Sequence, residues 1–255
     1  MLKQITTIAS ITCREALNSK LLWLALGCML LVVAVSELAG EVVVSASAEF
    51  QAGIVAWGLR WLGVLTCVLF FVNSLTRESS DRITELLFAQ PVKRESVYLG
   101  RLCALILIAT CYCILAACVA AFFTDVSLAA RWAVSLFFEI AIVGAFALWV
   151  ILGIGNLVGS LLVTLAFYLV ARSIHALVAM VTGPIFVAES AFDHFMVFAV
   201  ELLSWVLPPL HTYASADWLI ANAVDAQLGV QMLQTLLYLG LLGTATVIEL
   251  YRKQY

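Results

Sequence analysis

Four ionisable residues lie inside stretches of sequence that are otherwise apolar: Arg60, Glu139, Arg172 and His175. Ionisable side chains inside a membrane are costly, so they usually pair with one another or mark a transport path. A histidine close to an arginine could also titrate near neutral pH. The chemistry that these residue types predict is therefore ion pairing, proton binding or contact with a charged substrate.

Glu139 and Arg172 are predicted to lie at nearly the same depth in the membrane. At a rise of about 1.5 Å per residue, they lie about 12 and 13 Å from the same end of two neighbouring antiparallel helices. We expect an ion pair between them, with Arg60 as the competing partner of Glu139. The pair would either fix the register of two helices or form a polar patch that meets a substrate. His175 lies one turn from Arg172 on the same helical face.

The densest group of charges occupies residues 77–94, between two apolar runs. The pattern predicts a short amphipathic helix, because Ile83, Leu86 and Leu87 share one face and charged side chains occupy the rest. Pro91 ends this helix, and the basic pair after it anchors the next apolar run at the lipid headgroups. An ordinary charged loop explains the cations but not the interspersed acids.

This segment resembles the signature of the permease subunits of type-2 ABC transporters. That signature runs roughly Arg-Glu-x-Glu-x-Gly-Thr-x-Glu-x-Leu, followed by Pro, a basic residue and Gly-Lys. The chain departs from it at Ser80, Arg82, Ile83 and Arg101. The residues that match, in a register without gaps, are Arg77, Glu78, Glu85, Leu87, Pro91, Arg94 and Gly100.

The resemblance implies that residues 77–90 form a coupling helix, which docks into a groove on a separate ATPase subunit. Closure of an ATPase dimer would move this helix and tilt the spans. An amphipathic plug with mixed charges around its apolar face would seat in one orientation. The residues expected to couple to the ATPase are Arg77, Glu78, Asp81, Arg82, Glu85, Leu86, Leu87, Pro91 and Arg94.

The same resemblance implies that this chain is not itself an enzyme. The sequence contains no Gly-x-x-x-x-Gly-Lys-Ser/Thr phosphate loop, so ATP and Mg would bind to the partner and no cofactor or metal is expected here. The expected partners are two copies of an ABC ATPase subunit, a second permease copy or homologue, and membrane lipids, but no nucleic acid. The assembly would export an amphipathic or lipid-linked substrate across the bacterial cytoplasmic (inner) membrane.

Composition places the chain among all-α, multi-pass membrane proteins. It is 64% hydrophobic and 11% charged, and its continuous rather than alternating apolar runs exclude an outer-membrane barrel. Residues 1–255 form a single transmembrane domain. A spanning helix needs about 20 apolar residues, and six such stretches occur. They are roughly Leu21–Leu38, Ile54–Leu75, Leu99–Phe123, Trp132–Ile154, Ser160–Val181 and Leu228–Tyr251.

Basic residues predict the orientation of these spans. They gather before the first span, between the second and third, and after the sixth, which places both termini in the cytoplasm. Gly153, Gly155 and Gly159 predict the tight turn between the fourth and fifth spans. The residues before the first span form either an interfacial helix or an extension of that span. Its apolar face would consist of Ile5, Ile8, Ala9, Thr12 and Ala16.

Residues 182–227 could include a seventh span but carry several acids. Glu189, Asp193 and Glu201 would each cost about 2.5 kcal/mol or more facing lipid near the bilayer centre. We therefore expect external, partly re-entrant helices between the fifth and sixth spans, broken at Gly183-Pro184 and Pro208-Pro209. Tryptophans expected to form a belt at the outer interface are Trp57, Trp61, Trp132, Trp205 and Trp218.

Two other functions stay open. An ion-coupled secondary transporter could use Glu139, Arg172 and His175, although such proteins need broken helices at the midplane or an inverted repeat. An intramembrane hydrolase is the third possibility, but no Ser/His pairing or zinc motif supports it.

Overall fold

The computed structural model of the chain describes residues 2–42, 47–80, 94–182, 191–220 and 228–252. Every regular element in these ranges is helical, as expected where the backbone must satisfy its own hydrogen bonds inside hydrocarbon. The elements are α1 (Leu2–Asn18), α2 (Lys20–Val42), α3 (Ser47–Ser80), α4 (Arg94–Ala120), α5 (Val126–Ile154), α6 (Leu157–Val181), α7 (Ala191–Val206), a 3-10 turn (Leu210–Thr212), α8 (Asp217–Ile220) and α9 (Leu228–Arg252).

Six of these helices, α2 to α6 and α9, are long and apolar enough to cross a membrane. They coincide with the six predicted spans and indicate a multi-pass membrane protein, with a seventh span only if the bent pair described below also crosses. Large apolar side chains are exposed along the outer helices, for example Leu30 on α2 and Leu237 on α9. Apolar surface of this extent is unusual for a protein surrounded by water, but suits one surrounded by lipid.

Helix α5 lies at the centre of the bundle, where it contacts α3, α4, α6 and α9. Small residues let neighbouring helices approach closely. A Cβ atom on Gly144 would lie 2.5 Å from Cδ1 of Leu105 on α4, which is closer than real Cβ contacts. The α4–α5 contact therefore depends on glycine at this position.

Helix α1 is separate from the first span, since one residue interrupts the helix before α2 begins. Ala9, Thr12 and Ala16 are buried, and α1 packs on α4, so the predicted apolar face is the packed one. A Cβ atom on Gly100 would lie 2.8 Å from the Cβ of Ile8. The two helices thus meet closely at this glycine, while a position for α1 on the membrane surface stays a prediction.

The end of α3 corrects one part of the predicted coupling helix. Arg77 and Glu78 are in the last turn of α3 rather than in a separate helix, because no helix-breaking residue precedes them. Glu78 pairs with Arg101 near the start of α4, and Arg94 is the first residue of α4. The other predicted coupling residues, Asp81, Arg82, Glu85, Leu86, Leu87 and Pro91, lie outside the described residues.

The tight turn between the fourth and fifth spans is confirmed, but of the three predicted glycines only Gly155 lies in it, since Gly153 belongs to α5 and Gly159 to α6. Helix α5 ends at Ile154, and Gly155 follows with φ of 71°, a left-handed conformation that favours glycine. The side chain of Asn156 then caps α6 by accepting a hydrogen bond from the backbone N–H of Val158, at 3.2 Å. Two spans are thereby reversed within a few residues, which sets the relative depth of side chains on α5 and α6.

Candidate functional site

The predicted ion pair between α5 and α6 is confirmed. Nη1 of Arg172 lies 3.0 Å from Oε1 of Glu139, and Glu139 is completely buried. The hydroxyl of Tyr168 donates a second hydrogen bond to the same oxygen, also at 3.0 Å. Two helices that are antiparallel neighbours are therefore joined by a charged contact and a neutral one.

Arg172 also binds backbone atoms from a distant part of the chain. Its Nη1 donates to the carbonyl oxygens of Leu210 at 2.7 Å and Tyr213 at 2.9 Å. Arg60 on α3 acts in the same way, because its Nη1 donates to the carbonyl of Ala214 at 3.2 Å. The two arginines thus hold the same stretch of backbone, and Arg172 rather than Arg60 bonds to Glu139.

This stretch, residues Leu210–Leu219, enters the bundle and is called the inserted segment below. The chain bends by 61° between α7 and this segment, at the predicted break at Pro208-Pro209, whose rings cannot continue a helix. Leu210, Tyr213 and Ala214 are fully buried. The second predicted break, at Gly183-Pro184, lies outside the described residues.

Neutral side chains also form hydrogen bonds with the backbone of the inserted segment. Trp132 Nε1 donates to the carbonyl of Ala214 at 3.1 Å, and the Ala214 N–H donates to Ser135 Oγ at 2.9 Å. Gln231 on α9 donates to the carbonyl of Thr212 at 2.9 Å and accepts from Ser135 at 2.8 Å. Trp132 is fully buried, so its predicted place in an interfacial belt is wrong, because its indole N–H serves this backbone instead.

The chemistry of this cluster follows from the backbone conformation of the inserted segment. The segment contains only a single 3-10 turn before α8, and Ala214 has a φ of 44°. The carbonyls of Thr212, Tyr213 and Ala214 therefore lack the backbone N–H partners that a long helix would supply. An unpaired peptide group in an apolar medium costs several kcal/mol. Side chains that donate to these groups stabilise the fold, which favours the structural interpretation of Arg60, Glu139 and Arg172.

His175 stacks on a residue that the sequence did not connect with it. Its ring lies 4.2 Å from the ring of His211, with an angle of 7° between their planes. His175 is exposed on α6 and His211 is half-buried in the 3-10 turn. Burial lowers the pKa of His211, and the positive charges that His175 and Arg172 can carry lower it further.

Sequence reasoning missed several members of this cluster. Tyr168 lies one turn before Arg172, so helical spacing could have placed it beside the ion pair. Gln231 is a polar residue inside an apolar span, which is a recognised signal of contact between helices. Ser135 carries no such signal, because serine packs readily in spanning helices without a functional partner.

In comparisons with known proteins, the sequence matches no family model and no curated protein.

Proposed function

We propose that this chain is the transmembrane subunit of an ATP-driven exporter of the type-2 ABC class. It would act as a dimer with an identical or related permease and two copies of a separate ATPase. The observation that carries the proposal is the geometry on either side of the charged segment 81–93. Glu78 at the end of α3 and Arg101 near the start of α4 form an ion pair; Glu78 matches the resembling motif, and Arg101 stands where that motif has another basic residue, Lys.

The helices that flank the charged segment are joined in a way that suits transmission of force. The hydroxyl of Ser74 on α3 donates to the carboxylate of Glu15 on α1 at 2.8 Å. α1 in turn packs on α4, with Ile8 against Gly100. A displacement of the charged segment would therefore move α1, α3 and α4 together, and α3 packs on the central helix α5.

The interior of the bundle supports an amphipathic or lipid-linked substrate rather than a small ion. The buried polar side chains around Glu139 and Gln231 bond to one another or to the inserted segment. In the part of the chain that the structure describes, these groups are thus engaged with protein rather than arranged along a polar channel. A path for substrate would form between this chain and a second permease.

The proposal is tested by purification and by transport assays of matched variants. We expect a nucleotide-hydrolysing subunit to co-purify in equal amount with this chain. Leu87→Asp and Glu85→Arg should each weaken the coupled activity by about tenfold or more, because a misplaced charge at a docking surface costs several kcal/mol. Glu201→Arg, on the exposed face of α7, is the control for charge reversal. Normal transport in both coupling variants would contradict the proposal.

A second candidate, an ion-coupled secondary transporter, is favoured by one observation. The bent pair formed by α7 and the inserted segment lies beside Glu139, and discontinuous helices often bind coupling ions. Oε2 of Glu139 has no hydrogen-bond partner among the described residues. Glu139→Gln would abolish proton-driven uptake in such a transporter. In an ATP-driven exporter, the same variant would still transport its substrate, provided that it folds.

A further inference from the structure

A groove with apolar walls opens between α1, α2, α3 and α4. It encloses about 160 Å³, which is less than the about 300–1,000 Å³ of a site for a whole drug-sized ligand, so only part of a long apolar chain would enter it. Its walls are contributed by residues such as Leu17 on α1, Leu22 and Met29 on α2, Phe70 on α3 and Leu115 on α4.

Small side chains keep this groove open where larger ones would fill it. Ala16 and Ala25 line it from α1 and α2, and thiols line it from three helices through Cys13, Cys67 and Cys111. Each of these side chains is short, so the space between the four helices is left open. The groove is thus a space between α1 and three helices that are long and apolar enough to span a membrane.

Two cations are close in sequence to residues that line this groove. Arg14 follows Cys13 and lies one turn from Leu17, while Lys20 directly precedes Leu21. Both cations are exposed, and neither forms an ion pair within the described ranges. Two exposed positive charges therefore lie within one turn of groove-lining residues, one on α1 and one at the start of α2.

We propose that the groove binds one anionic phospholipid, with part of an acyl chain between the four helices and its phosphate at Arg14 and Lys20. Apolar packing alone cannot select this occupant, because lipid tails and helix surfaces are equally apolar. The paired cations supply the selection, since basic residues near a membrane surface attract anionic headgroups. This inference does not depend on the proposed transport activity.

Native mass spectrometry of the purified chain tests the proposal with two lipids, phosphatidylglycerol and phosphatidylcholine. We expect phosphatidylglycerol to be retained preferentially. Arg14→Gln with Lys20→Gln should weaken this preference by about fivefold for each cation removed. Ala25→Phe should reduce retention of both lipids, while Ala166→Phe, on an exposed position of α6, should not. Equal retention of both lipids, or no effect of the double substitution, would overturn it.

The thiols of the chain give a second readout that needs no substitution in the groove. Cys111 lines the groove and is exposed, whereas Cys118 is exposed on the same helix without lining it. We expect phosphatidylglycerol to slow maleimide labelling of Cys111 and to leave Cys118 unchanged. Protection of Cys111 that follows protein concentration instead of lipid would show that a second copy covers the groove, and would refute lipid binding.

Discussion

Substitution of Arg172 by methionine tests whether the charged cluster holds the inserted segment. Methionine keeps much of the apolar stem but removes every hydrogen bond that the guanidinium donates. Glu139, which is fully buried, would lose its ionic partner, and the carbonyls of Leu210 and Tyr213 would each lose a donor.

The expected cost follows from these losses. Removing one partner of a buried ion pair typically destabilises a protein by about 3–5 kcal/mol. The Leu210 carbonyl keeps the backbone N–H of Tyr213 as a donor, whereas the Tyr213 carbonyl is left without one, which adds about 1–3 kcal/mol if water cannot reach it. The side chain of Arg172 is 19% exposed, so water can replace part of what is lost. We therefore expect Arg172→Met to lower the free energy of unfolding by about 3–5 kcal/mol.

Reversible unfolding in mixed detergent micelles, followed by tryptophan fluorescence, measures this change. The signal reports on the right region, because Trp132 bonds to Ala214 in the inserted segment. Arg131→Met is the matched control, since Arg131 is exposed at the start of α5, and it should change stability by no more than about 0.5 kcal/mol.

A double-mutant cycle with Glu139→Gln separates the ion pair from the backbone contacts. We expect the double variant to be more stable than the sum of the single changes predicts, by about 1–3 kcal/mol, because it leaves no buried charge alone. The stabilising role of the cluster would be refuted if Arg172→Met lowered the free energy of unfolding no more than Arg131→Met, or if the cycle gave no coupling energy.

Two further predictions concern His211 and Gly100. The lowered pKa of His211 means that its contribution to stability is present above its unfolded pKa of about 6.5, and is lost as the pH falls through the folded value. We expect the melting temperature to fall from about pH 7 to pH 5, and His211→Gln to flatten this profile; an unchanged profile would contradict the prediction. Gly100→Ala should push α1 away from α4 and cost about 1–3 kcal/mol, whereas Gly27→Ala, which has open space around it, should be neutral or stabilising in the same thermal assay. Equal effects of the two glycine changes would count against close packing of α1.

The sequence was sufficient to predict the spans and one internal contact. Runs of about 20 apolar residues can be placed in few ways other than across a membrane. Glu139 and Arg172 could be paired because helical rise and a short turn at Gly155 fix the depth of both residues. The bend at Pro208-Pro209 was predictable too, since proline lacks the N–H that a helix needs.

The tertiary structure alone decided what the buried arginines bind. Arg60 and Arg172 donate to carbonyls of Leu210, Tyr213 and Ala214. Trp132, which we expected at the outer interface, is buried and also donates to the Ala214 carbonyl. Every residue carries a backbone carbonyl, so no pattern of side chains marks which ones need a donor. A carbonyl needs a side-chain donor only where the chain is buried without the hydrogen bonds of a continuous helix. The packing of the inserted segment creates this condition, and the sequence alone does not show it.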